Sequence, residues 1–217
     1  MPKKEQAQNT TLGTRKQGMR LRKEAILKAA FCEFTQKGFA MTRMEDIAAK
    51  ANVSKGSIYN YFASKEVLLE ALVQEHIVPV LPHDSEYLGK DTNIRNFIEK
   101  TFLKIMKEAQ GDAGNLLPLI ISEGERFPNI AQMYYNTVVK KLMEKTHKLM
   151  AIADARGELK NPAYKQFPQL VVAPFIQNVI WIKLFSNFQT VDFNEMLKIH
   201  FDSIFKSPEK GVDKNEK

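Results

Sequence analysis

A single cysteine, a single tryptophan and four histidines are all that these 217 residues contain of those types. Cys32 has no partner for an intrachain disulfide; set beside Phe31 and Phe34 on an apolar helical face, it reads as a small core residue rather than a redox centre. His76, His83, His147 and His200 are scattered with no pair at ligand spacing, so no metal site is expected. There is no P-loop and no dinucleotide fingerprint, and hence no cofactor to expect. Ser122-Glu123-Gly124-Glu125 offers carboxylates, but its place in the pattern suggests a solvated helix end. No apolar run reaches the roughly 18 residues of a membrane span, and the N-terminus, M-P-K-K-E-Q-A-Q-N-T-T, lacks the apolar stretch of a secretory signal. The expectation is a cytoplasmic protein that is not an enzyme and has no membrane partner. Acidic charge is also short: the net charge is +7, and it is unevenly placed. Residues 1–23 carry +6, residues 24–63 carry +1, and the remainder is balanced.

The basic end also holds the most informative stretch, T-R-M-E-D-I-A-A-K-A-N-V-S-K-G-S-I-Y-N-Y-F-A-S-K from Thr42 to Lys65. Thr42 can cap a short helix on which Met44, Ile47, Ala48 and Ala51 recur at three-and-four spacing. Asn52 suits the left-handed conformation of a tight turn. Ser54 can then cap a second helix with Ile58 and Phe62 inward and Lys55, Gly56, Ser57, Tyr59, Asn60 and Tyr61 outward. Two short helices joined this way, the second showing a donor-rich face free of acids, make a helix-turn-helix suited to a DNA major groove. Upstream, Ile26, Ala30 and Phe34 mark a helix over Leu21–Lys37 that stops at Gly38; downstream, Ser64 caps a fourth helix running towards Pro79.

Pro79 to Asp91, with two prolines and a glycine, is the clearest boundary. Beyond it the periods are helical: Ile94 to Met106, Asn115 to Ile121, a long helix from Pro128, the apolar Leu170–Phe188 segment, and Phe193–Phe205. No stretch shows sustained alternation or a hairpin signal, so the fold class is all-α. The expected organisation is a flexible basic arm (1–19), a DNA-binding domain (20–80, helix-turn-helix about 43–62), a helical domain (81–206) and a charged tail (207–217). Phe102, Met106, Ile121, Tyr134, Phe175, Asn178, Trp181 and Ile182 could wall a ligand cavity, since methionine and aromatic groups adapt and Asn or Tyr orients a polar atom; core packing is the plain alternative. Leu170–Phe188 is apolar around too much of its circumference for one small domain to cover, which points to a second copy. One recognition helix makes few base contacts, and two-fold pairing doubles them.

Residues Gly38-Phe39, Thr42, Ile47-Ala48, Ala51, Val53-Ser54, Gly56, Tyr59, Tyr61-Phe62, Lys65-Glu66 and Leu68 resemble the pattern of the tetracycline-repressor (TetR) family of bacterial transcription regulators, over about residues 20–70. Asn52 departs from the family's usual Gly but can adopt the same turn. The resemblance implies base-edge contacts from Lys55 and Ser57, close backbone approach at Gly56, and phosphate contacts from Tyr59 and Tyr61. It also implies phosphate sites at Thr42 and Lys65, with backbone contacts from Arg20 and Arg22. It further implies a homodimer pairing through helices about 162–187 and 193–205, a pseudo-palindromic double-stranded DNA operator, and repression relieved by a small, largely apolar effector held in the helical C-terminal domain. The alternative is a constitutive DNA-binding or architectural protein whose C-terminal domain only dimerises or holds a protein partner.

Overall fold

The structure, a computed structural model, describes residues 3–80, 93–108, 111 and 113–207, with side chains described from Lys16 onward except at Val80 and Ala113. Helix α1 spans Lys3–Met41, α2 Met44–Lys50, α3 Lys55–Tyr59 and α4 Lys65–His76, and a 3₁₀ turn covers Val78–Val80. Then come α5 (Ile94–Glu108), α6 (Ala113–Gly124), α7 (Pro128–Tyr134), a π-helical turn (Tyr135–Val139), α8 (Lys140–Ala155), α9 (Ala163–Gln166), α10 (Pro168–Leu184) and α11 (Phe193–Ile204). The chain is all-α, and among the described residues the only β feature is an isolated bridge between Leu159 and Phe205. None of the described helices is long and apolar enough to cross a membrane.

By packing the chain forms two units, one of residues 1–79 with 115–137, the other of residues 80–114 with 138–217. This grouping differs from a division at residue 80, because α6 and α7 pack with the first unit and α7 lies on α4. The backbone of residues 3–19, expected to be a flexible arm, is helical and continuous with α1. The expected arm beyond it (residues 1–2), most of the loop before Asn93, and the tail after residue 207 lie outside the described residues.

The first unit's core joins Ile26, Ala30 and Phe34 of α1, Ile47 and Ala48 of α2, Ile58 of α3, and Leu68, Leu69, Leu72 and Val73 of α4, all buried. The second unit's core joins Ile98 and Phe102 of α5, Leu149 and Met150 of α8, Val171 of α10, and Leu197, Phe201 and Ile204 of α11. Arg95 fastens α5 to α11 through Asp202 (2.6 Å) while also pairing with Glu99 one turn along its own helix (2.7 Å). Helix ends follow their capping residues: Asn93 Oδ1 accepts from Asn96 N (2.9 Å), Asp192 Oδ1 from Glu195 N (3.1 Å), and Pro128 opens α7 at its first position.

Candidate nucleic-acid interface

α2 ends in a Schellman turn. Asn52 takes φ +55°, its amide donates to Ala49 O (3.1 Å) and the Val53 amide to Ala48 O (3.0 Å), so two carbonyls left open by the helix end are satisfied. Ser54 then caps α3, its Oγ accepting from Ser57 N at 3.2 Å. With Ile58 and Phe62 buried beneath it, α3 is held from below and presents Lys55, Gly56, Tyr59 and Asn60 to solvent. Ser57 is half-buried beside them. A Cβ at Gly56 would meet nothing within 4 Å, so in the free chain glycine is not needed there for packing.

Two features of this face differ from the sequence expectation. The face is not free of acids, because Lys55 Nζ pairs with Glu45 Oε1 of α2 at 2.7 Å. That partner raises the lysine's pKa and lowers the glutamate's, and since both groups are exposed the pair is weak and easily exchanged for another anion. Tyr61 is half-buried, lining an open groove between α1 and α4 with Arg20, Lys23, Phe62 and Val67; Arg20 also pairs with Glu24 (3.4 Å), and Arg22 is exposed.

In the free chain the side chains of Thr42 and Lys65, expected to face phosphates, are turned inward onto backbone carbonyls. The Thr42 hydroxyl, buried, donates between Gly38 O (2.8 Å) and Glu33 O (3.2 Å), and Arg43 rather than Thr42 stands at the N-cap position of α2, with no side-chain cap bond. The Arg43 amide donates to Asp46 Oδ2 at 3.3 Å. The Lys65 ammonium, half-buried, donates to Phe39 O (2.7 Å), Ala40 O (3.3 Å) and Thr42 O (3.3 Å), which uses all three of its donors. It also lies 4.4 Å from the Phe39 ring centroid. The sequence pattern put both residues at helix N-termini, where a phosphate is favoured, but the lead-in from Gly38 to Thr42 needs these donors itself.

Sequence reading missed Glu33 and Glu45 and took Glu123 for a solvated helix end. Glu33 is buried, and its carboxylate is held by Lys37 and by Lys50, which fastens α2 to α1; Lys37 and then Lys50 keep its pKa below the usual carboxylate range. The i,i+4 spacing of Glu33 and Lys37 was a visible signal, whereas the Lys50 contact was not. Glu123 is not a solvated helix end: its Oε1 accepts from the amides of Phe39 (3.1 Å) and Ala40 (3.4 Å).

In the second unit, the proposed cavity residues separate. Phe102 and Met106 are buried, Asn178 Nδ2 lies 3.4 Å from Met106 Sδ, and Phe175 packs on the same core. Trp181 instead donates its indole N–H to Gln189 O (3.0 Å) in the turn after α10. Ile121, of the first unit, is 53% exposed and Ile182 46%. Tyr134 groups with the first unit, and burial pushes its phenol up to about 12. One cavity in the second unit, bounded by Phe97, Phe102, Ile105, Leu142, Thr146 and Val171, has a volume of about 30 Å³. α10 buries Val171, Val172, Asn178 and Val179 and leaves Leu170, Ile176, Ile180 and Leu184 exposed; Phe188 beyond it is 86% exposed and Ile199 of α11 is exposed as well.

A capped, inward-anchored α2–turn–α3 carrying an exposed donor face defines a helix-turn-helix protein of the DNA-reading class. Residues 26–72 match the family described as bacterial regulatory proteins, tetR family, and residues 98–189 match the AefR-like transcriptional repressor C-terminal domain. The chain belongs to the TetR family of bacterial transcriptional regulators. The transcriptional regulator RutR of Escherichia coli K12 is 45% identical over 65 residues, 30% of this chain and 31% of RutR, so the match spans under a third of that relative. UidR of the same strain is 28% identical over 134 residues, 62% of this chain and 67% of UidR. Among solved structures, the SmeT–triclosan complex superposes with a TM-score of 0.70 at 17% identity, covering 85% of this chain and 92% of that one, a likeness of fold.

Proposed function

We propose that this regulator is a homodimeric repressor that reads a pseudo-palindromic DNA site and is released by a small, largely apolar effector. The observation that carries the DNA half is the exposed face of α3, Lys55, Gly56, Tyr59 and Asn60, on a turn braced by Asn52 and Ser54. Lys55 and Ser57 take the base edges, Gly56 lets the backbone approach, and Tyr59 and Tyr61 hydrogen-bond phosphates. Arg20 and Arg22 add backbone contacts. At Thr42 and Lys65 any phosphate contact is left to main-chain amides. Dimerisation is supported by the exposed apolar stripe of α10, Ile176, Ile180 and Leu184, continued at Phe188. The match to a repressor-type C-terminal domain and the likeness to a regulator bound to triclosan support the effector half.

The test is selection of duplexes from a random pool, followed by release with a panel of apolar and cationic compounds. A palindromic consensus whose binding falls when one half-site is deleted is expected. Ile180→Asp should convert a dimer at micromolar concentration to a monomer in sedimentation analysis; a wild-type monomer, or binding indifferent to half-site deletion, would refute the dimeric reading.

One observation favours a second reading. The cavity walled by Phe97, Phe102 and Val171, about 30 Å³, is a tenth of the roughly 300 Å³ a small-molecule site needs, so that cavity as it stands holds no effector. A DNA-binding protein whose second unit only dimerises or holds a protein partner would need no larger space. Failure of every compound to release selected DNA is what this reading expects.

A further inference from the structure

The geometry points to Glu123 as the positioning residue by which the end of α6 holds the lead-in to the helix-turn-helix. The inference rests on reading α2–α3 as the DNA-contacting element, and it concerns groups of the first packing unit alone.

Gly38 leaves helical geometry at φ +79°. The next two amides, of Phe39 and Ala40, converge on one carboxylate oxygen, Glu123 Oε1, at 3.1 and 3.4 Å. Successive amides aimed at one point make an anion-binding concavity, and here a side chain occupies it. A Cβ at position 38 would stand 3.1 Å from that same oxygen, so the lead-in is glycine both for its φ and to seat the carboxylate. The other edge of the same segment is equally engaged, its carbonyls at Phe39, Ala40 and Thr42 accepting from Lys65 of α4. Phe39 is fully buried, its ring 5.3 Å from that of Phe127 just before α7. The five residues that deliver the chain to α2 are thus held on the N–H side by α6 and on the C=O side by α4.

Glu123 stands one residue from the end of α6, where the helix dipole disfavours a carboxylate. The site is therefore poor for an acid as far as α6 is concerned, and the two amides are its compensation. Both bonds lie at the long end of the hydrogen-bond range, so drawing the end of α6 back by about 1 Å breaks both at once.

The test uses the full chain, with Glu123→Ala and Glu123→Gln, and two measurements. The first is amide exchange of Phe39 and Ala40 by ¹⁵N NMR. The second is affinity at fixed salt for a duplex selected with the wild-type chain, against a scrambled duplex of equal length. Glu123→Ala should speed exchange at both amides and weaken selected-duplex binding about tenfold, leaving scrambled-duplex binding unchanged. Glu123→Gln keeps a neutral acceptor and should recover part of both effects. A purely structural role would instead lower binding to both duplexes together with the melting temperature, without recovery by glutamine. Unchanged exchange in Glu123→Ala overturns the inference, as does selected-duplex affinity within about twofold of wild type when protection is lost. If Glu123→Ala does not fold, the glutamine variant decides: exchange and affinity both equal to wild type overturn the inference, and intermediate values support it. If the wild-type chain selects no duplex, the DNA-reading proposal fails on its own and the exchange measurement still decides whether Glu123 positions the lead-in.

Discussion

Replacing Lys65 with methionine separates the two roles open to this residue. The substitution keeps an unbranched apolar stem and removes the ammonium that bridges Phe39 O, Ala40 O and Thr42 O. Hydrogen bonds to a charged group contribute about 1.5–3 kcal/mol, and a cation over an aromatic face, here 4.4 Å from the Phe39 centroid, adds about 0.5–1 kcal/mol. The ammonium is only half-buried, so the lower part of the combined range applies, about 2 kcal/mol. For a chain of this size that is a fall in Tm of about 4–8 °C. DNA binding should weaken as the lead-in loosens, yet the slope of log affinity against log salt should stay as it was. A lost phosphate contact would instead reduce that slope by about 0.9. Thermal melts and a salt titration on a selected duplex therefore read the two roles independently. A slope reduced by about one with Tm unmoved would refute the internal role and restore Lys65 to the phosphate contacts.

Three further outcomes are expected. Lys55→Ala should weaken selected-duplex binding without altering Tm, because the side chain is exposed and its pairing with Glu45 is weak; Glu45→Gln should strengthen binding by about threefold in low salt, by freeing Lys55 and removing an acid facing the DNA. Gly38→Ala should destabilise the chain by about 1–3 kcal/mol in chemical denaturation, since φ +79° strains any L side chain and the new methyl crowds Glu123; a change below about 0.5 kcal/mol would contradict the strained geometry. His200, whose ring donates to Val171 O while burial lowers its pKa, binds its proton less readily folded than unfolded, so as pH falls through about 6.5 the unfolded chain takes up more protons and stability drops. Melts of wild type and His200→Gln from pH 8 to 5 should show the smaller acid loss in the variant.

Much of the first unit was legible because its signals are local. Ser54, Asn52, Ser64 and Gly38 each act on backbone within three or four residues, so a linear pattern reports them directly, and the structure places the caps and turns where those residues stand. The internal contacts of Thr42 and Lys65 were hidden for the converse reason. Both occupy helix starts, where a cap or phosphate role is the local expectation, but their donors are claimed by carbonyls 4 to 26 residues away. Glu123 lies 84 residues from its amide partner, and no spacing rule reaches that far. The cavity residues were the least legible, because burial, dimer contact and ligand contact all favour the same apolar side chains. Ile182 and Phe102 look alike in a hydrophobic pattern, and only the fold turns one outward and the other into the core.

An effector that enters by the cavity beneath α5, α8 and α10 must first widen it. Its volume of about 30 Å³ has room for no more than about two water molecules. Making room for a ligand of about 300 Å³ without filling it would cost about 6 kcal/mol at the measured penalty of about 24 cal/mol per Å³ of void. At that cost the open form is populated in the free protein at about one part in 10⁴ to 10⁵, and a ligand's apparent affinity is reduced by the same factor. Only a compound whose apolar surface recovers most of that cost can bind at micromolar concentration, which selects for bulk and hydrophobicity over polar recognition. Release by 100-fold needs a preference of about 2.7 kcal/mol for the non-binding form, which such a ligand supplies only if the opened cavity occurs chiefly in that form.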